Sequence, residues 1–130
     1  MAYEKALFDH TFQAAGDLST KQFYAMKLDS AGKVTTCTGT TDKVIGILQN
    51  KPDADGKEAV IRMAGISKVN SDAALAIADA IGTSADGQLA TYAQGTDTTK
   101  YNVGVVLVAS AAAGGLAVAA INCLSQLRLS

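Results

Sequence analysis

Turn chemistry cuts this chain at short intervals, and that limits what it can fold into. Asp29-Ser30-Ala31-Gly32, Lys51-Pro52-Asp53-Ala54-Asp55-Gly56-Lys57, Ala85-Asp86-Gly87 and Gly114-Gly115 are all turn or loop runs. Short polar side chains bond the nearby backbone, and glycine takes positive φ without a Cβ penalty. The segments between them are short and hold many Val, Ile and Thr residues. Short β-prone segments between turns predict an all-β or β-rich domain of barrel or sandwich type.

Individual segments support that reading. Tyr24, Met26 and Leu28 alternate with Phe23, Ala25 and Lys27, which suits a half-buried strand. Lys33–Thr38 returns as a second strand, and Val44–Gln49 reads as a third, more fully buried one. Pro52 cannot donate to a ladder and closes it. Ala59–Val69 is the next strand, with Ile61, Met63 and Val69 on one face and a bulge expected at Gly65. Gln88–Tyr92 follows. Val103–Val108 and Leu116–Ile121 flank Gly114-Gly115 as a final pair.

Two stretches are ambiguous. In 71–81, Ser71 or Asp72 suits a helix cap, and Leu75, Ala78 and Ile81 recur at helical spacing. Alanine is also the best helix former, so a short helix and a loop both stand. Residues 1–18 scatter Tyr3, Leu7, Phe8 and Phe12 among charged residues and fit neither a clean strand nor a strong helix. They read as a frayed terminus or as an arm that orders on a partner through those side chains. Three of the seven Phe and Tyr residues fall there, which favours an arm. The expected organisation is an arm over 1–18 and a single β-rich domain over 19–130, since no linker or repeat divides the chain.

The residues offer little for catalysis. His10 is the sole histidine, so any Ser-His-Asp or Cys-His site would need it. It lies in the expected arm, where fixed geometry is hard to hold. Asp53-Ala54-Asp55-Gly56 lacks the third acidic position and the closing Glu of a calcium loop. The glycines do not form a dinucleotide fingerprint. The expectation is a protein that is not an enzyme, with no catalytic, cofactor-binding or metal-binding residue.

Partners are narrowed next. Net charge is −1 with both signs interspersed, which argues against a nucleic-acid footprint. No charge falls between Val103 and Gln126, long enough for a membrane span of about 20 residues. Gly114-Gly115 in its middle instead predicts a buried hairpin and no membrane contact. Cys37 and Cys123 are far apart and lack metal-ligand spacing. They read as a disulfide or as two reduced, buried thiols. No basic segment followed by an apolar run marks a signal peptide, so a reducing cytoplasm is the expected site of synthesis. Only 5% of residues are aromatic and there is no Trp, so the Ala-rich core is modest and subunit contacts would add stability.

One resemblance covers most of the chain. Gly16-Asp17-Leu18-Ser19, Gln22-Phe23-Tyr24, Lys27-Leu28-Asp29 and Gly32-Lys33-Val34 resemble the opening of tailed-phage capsid decoration (cement) proteins. Thr41-Asp42-Lys43 with Ile45-Gly46-Ile47-Leu48-Gln49-Asn50-Lys51-Pro52 is similar to that family's second block. Gly65-Ile66-Ser67-Lys68-Val69, Thr83-Ser84-Ala85-Asp86-Gly87 and Val103-Gly104-Val105-Val106 follow in the family's order. Each block is strand-and-turn chemistry; their order is the specific part. Two departures stand out. Ala78 sits before Asp79 where the family often has glycine, and Leu124–Ser130 extends beyond the pattern.

The resemblance implies a β-tulip or β-clip-like domain on the outer surface of the virion. It implies binding to the major capsid protein of an expanded icosahedral head, bridging of neighbouring subunits, and assembly as a homotrimer. The capsid-interface residues expected on this basis are Tyr3, Leu7, Phe8, Phe12 and Leu18. Other readings of the chain are a tail-tube or head–tail subunit, or a small β-barrel ligand-binding protein.

Overall fold

The computed structural model describes residues 4–93, 96–97 and 100–124. They form nine strands and, among the described residues, no helix. The strands are β1 (Lys5–Gln13), β2 (Ala25–Leu28), β3 (Val34–Thr36), β4 (Gly46–Leu48), β5 (Glu58–Asn70), β6 (Ala80–Thr83), β7 (Leu89–Thr91), β8 (Gly104–Val108) and β9 (Leu116–Asn122). They make one sheet in the order β3-β2-β4-β5-β9-β8-β6-β7, with β1 added to β5. Every named pairing is antiparallel, and the sheet curls into a half-barrel. The fold is therefore mainly β and barrel-like, as the turn spacing predicts.

Turn chemistry explains the hairpins. Between β2 and β3, the Asp29 carboxylate accepts from the amides of Ala31 and Lys33, both at 2.9 Å. Gly32 sits at φ 79°, a conformation that costs a glycine little. Between β4 and β5, the Asn50 side chain accepts from Val60 N–H and donates to Glu58 C=O. The loop between β8 and β9 is held by buried hydroxyls. Ser71 and Ser110 lie 2.7 Å apart, and Ser71 donates to Ala112 C=O at 3.0 Å.

β5 organises the interior. Its first half pairs with β1 and β4, and its second half with β9. Ala59, Ile61 and Val69 are fully buried, while the even-numbered residues between them are only half-buried. Ala59 and Ile61 join Ala14, Leu18, Met26, Val34 and Leu48 in one core cluster. Val69 belongs to a larger cluster with Ile47, Leu75, Ile81, Leu89 and Val106. Burying an aliphatic side chain contributes roughly 1.5–3 kcal/mol, whereas Ala contributes much less.

One open alternative is settled and one expectation changes. The short helix over 71–81 is absent. Leu75 exchanges backbone hydrogen bonds with Ser110, and Ala78 N–H donates to Val106 C=O at 2.8 Å. Ala78 adopts φ 73°, incompatible with a right-handed helix. Pairing to β8 overrides the local helical preference of alanine, and Ala80–Thr83 becomes β6. The extended arm expected over 1–18 is, over Lys5–Gln13, a strand of the domain's own sheet. Ala14 and Leu18 beyond it are buried in the core.

Candidate functional site

β1 is an unusual strand. Seven of its nine residues are exposed, and the other two, Asp9 and Phe12, are half-buried. A strand that packs one face on a core normally alternates; β1 does not, because it pairs with β5 at the margin of the interior. Its register with β5 shifts between Ala6 and Phe8 and again between Phe8 and Asp9. Gly65 faces the first shift at φ 129°. A Cβ there would collide with the Lys5 carbonyl and stand 2.9 Å from Leu7 N. The bulge leaves Leu7 with no opposing residue in the β5 register.

Arg62 fastens this irregular strand. Its Nε and Nη2 donate to the two Asp9 carboxylate oxygens at 2.9 and 3.1 Å. Its Nη1 donates to Ile66 C=O at 2.9 Å. The planar fork meets both oxygens at once, which only arginine can do. One side chain thus spans the bulge and ties β1 to β5.

The expected interface residues separate by position. Leu7 is 74% exposed and Phe8 45%, and both stand on the bulged part of β1. Phe12 packs against the core cluster of Met26 and Ile61 and meets the His10 ring edge-on at 4.8 Å. Leu18 is 6% exposed, so its side chain faces the interior and is unavailable to a partner. Tyr3 lies outside the described residues.

The surface beside Leu7 is apolar. Leu7, Ile66, Ala120 and Ile121 line a groove of about 300 Å³ with Lys5 at its rim. A second groove of about 460 Å³ shares Ala120 and Ile121 and continues over Val105 and Ala80. The register explains the continuity. Ile66 lies opposite Ala120, Ala120 opposite Val105, and Val105 opposite Ala80, so all four share one face. Sequence reasoning missed Ile66, Val105 and Ala120 as surface residues. Nothing local marks them, because only the register joins them.

The remaining chemistry is sparse. Among the described residues, no three His, Cys, Asp or Glu side chains are placed to hold a metal ion. No helix among them is long and apolar enough to cross a membrane. Cys37 and Cys123 are buried and not joined in a disulfide. Burial pushes both up to about 12, assisted by the Asp42 charge at Cys37 and by Cys37 itself at Cys123. Both are protonated at neutral pH and poor nucleophiles.

No protein-family model matches the chain, and no curated protein matches its sequence. Among solved structures, the fold is similar to the N-terminal base of the head fibre gp8.5 of bacteriophage phi29. The TM-score is 0.62 at 14% identity, covering 93% of this chain and 98% of that one. At that identity the likeness is one of fold, and it extends over nearly the whole of both chains.

Proposed function

We propose that this chain is a structural protein of a phage head. On this reading it binds the outer surface of the expanded shell and stabilises it by bridging major capsid protein subunits. It performs no catalysis. The observation that carries the reading is the near full-length likeness to a phage head-fibre base. The order of strand-and-turn blocks points the same way. Leu7 and Phe8 supply the grip: two large apolar side chains held in solvent by the Arg62 clamp. Burying them on the shell would release bound water at roughly 25 cal/mol per Å² of apolar area. Many copies on one lattice turn modest single contacts into firm attachment.

The experiment is co-sedimentation with expanded heads of the phage that encodes the chain. Deleting 1–18 is a poor test, because it would remove β1 and two core residues, Ala14 and Leu18. The better variant is Leu7→Ser with Phe8→Ser, which alters exposed side chains only. Binding is expected to fall while the thermal midpoint stays within a few degrees of wild type. Wild-type protein that fails to sediment with the heads would overturn the proposed function. Undiminished binding by the double variant would remove Leu7 and Phe8 from it.

A further inference from the structure

β1 leaves an edge of the sheet open. The path of the other strands ends at β3 and β7, and the chain covers both ends itself. Val34 of β3 bridges Ala14, and Leu89 of β7 bridges Ser71. The amides of Ala15 and Asp72 donate to Val34 and Leu89 C=O at 2.9 and 2.8 Å. β1 has β5 on one side and, among the described residues, no strand on the other. Native sheets blunt such an edge with Lys, Pro, a bulge or a cover. β1 is bulged at Leu7, but Asp9-His10-Thr11-Phe12-Gln13 keeps an unbroken register with β5 and contains neither Lys nor Pro.

The alternation of the ladder fixes which β1 groups face outward. Val60 turns its backbone to the β4 side: its C=O accepts from Gln49 N–H at 2.8 Å, and its N–H donates to Asn50 Oδ1 at 3.0 Å. Its neighbours Ala59 and Ile61 therefore face β1 and bond Phe12 and His10, which lie opposite them. Ala14 N–H, which donates to Lys57 C=O at 2.8 Å, keeps the same phase. Asp9, Thr11 and Gln13 thus aim their N–H and C=O groups away from β5, and no described residue meets those groups. Their side chains raise no barrier to a further strand. Asp9 has its charge paired with Arg62, and Thr11 and Gln13 are exposed and neutral.

We infer that β1 of one copy of this chain pairs antiparallel with β1 of a second copy, about a two-fold axis through Thr11. In that register every outward N–H meets an outward C=O. Thr11 exchanges both bonds with Thr11 of the second copy, and Asp9 exchanges both with Gln13. The side chains agree. Thr opposite Thr is a favourable cross-strand pair, and the Gln13 amide faces the Asp9 carboxylate, so no like charges oppose. On the other face, His10 of each copy stands opposite Phe12 of the other. These rings already meet edge-on at 4.8 Å within one copy, so the axis gathers all four. Other centres lose these matches. An axis through Asp9 opposes two carboxylates. One through Gln13 sets Thr11 against Ala15, whose N–H is committed to Val34 C=O. The fit of the segment to itself selects a second copy over a strand of another protein. The inference does not depend on capsid binding.

The test is the mass of the full-length protein in solution, by light scattering or sedimentation velocity over a concentration series. Wild type is expected to pass from one copy to two as concentration rises. Thr11→Lys and Thr11→Glu each set like charges across the axis and are each expected to weaken association at least about tenfold. An equimolar mixture of the two is expected to recover it, because the axis then sets Lys opposite Glu. Thr11→Pro removes an N–H that a single copy does not use, a change an edge strand tolerates, and is expected to abolish pairing. Thr11 is exposed, and an unchanged circular dichroism melt confirms that each variant is folded. Should Thr11→Pro melt early, the Lys and Glu variants decide. A wild type that stays monomeric at its highest soluble concentration overturns the inference. So does association that Thr11→Lys leaves unchanged, a mixture that associates no better than either variant alone, or a limiting mass of three copies.

Discussion

Ala78 carries the clearest conformational cost at the residue scale. Left-handed φ costs an alanine roughly 1–2 kcal/mol, against about 0.5–1 kcal/mol for the extra freedom glycine gains on unfolding. Ala78→Gly is therefore expected to stabilise the fold by about 0.5–1 kcal/mol, read as a higher midpoint in thermal or urea unfolding. A lower midpoint would mean the methyl group packs usefully. Asp42 sets part of the acid response. Burial opposes its charge, but amide hydrogen bonds from Thr38 and Gly39 and the Lys27 ammonium outweigh burial and hold its carboxyl below 3.8. A depressed carboxylate contributes stability that is complete above its unfolded value and lost as pH falls through its folded value. Asp42→Asn should thus cost about 1 kcal/mol near neutral pH. That difference should shrink well below pH 3.8, where the wild-type carboxyl is itself protonated. Urea unfolding of both proteins across that range measures it.

At the scale of elements, β1 depends on two residues of β5. Arg62→Ala removes three hydrogen bonds, two of them to a carboxylate. The expected cost is about 2–3 kcal/mol, with faster hydrogen exchange confined to the Lys5–Gln13 amides. Exchange that rises equally in β8 and β9 would show that the clamp serves the whole sheet. Gly65→Ala should also dislodge β1, since its Cβ has no room beside Lys5 and Leu7. These elements show where the sequence was readable. The hairpin of β2 and β3 was legible because Asp29 and Gly32 dictate the turn locally. The β8–β9 hairpin was legible because a double glycine divides two β-prone runs. β1 was not, because neither of its faces is buried and it leaves no alternation to read. The connection before β6 stayed open between helix and loop because helix propensity is local, while the pairing of Leu75 with Ser110 reaches across the chain. Leu7 and Phe8 could be picked from composition as candidate anchors. Leu18 could not be assigned to the core without knowing that Met26, Val34 and Ile61 surround it.

The whole molecule relies on a small number of large core residues. Ile61 and Leu48 are fully buried in the smaller cluster, whose other members include two alanines. Truncating either to Ala is expected to cost about 2–5 kcal/mol, a large share of the 5–15 kcal/mol typical of a domain. Equilibrium unfolding of Ile61→Ala checks this. The sheet order also has a kinetic consequence. β5 must receive β1 and β4 from the chain before it and β9 from the chain after it. Asp9 reaches Arg62 across 53 positions, and Ala64 pairs with Asn122. During synthesis, β1 emerges long before its partner, and the completed β1–β5 pair still lacks β9 until Leu116–Asn122 leaves the ribosome. Contacts this distant in sequence place folding in the millisecond-to-second range. A nascent chain stopped before Leu116 would therefore hold β5 with one half unpaired, an open edge for other nascent chains to join.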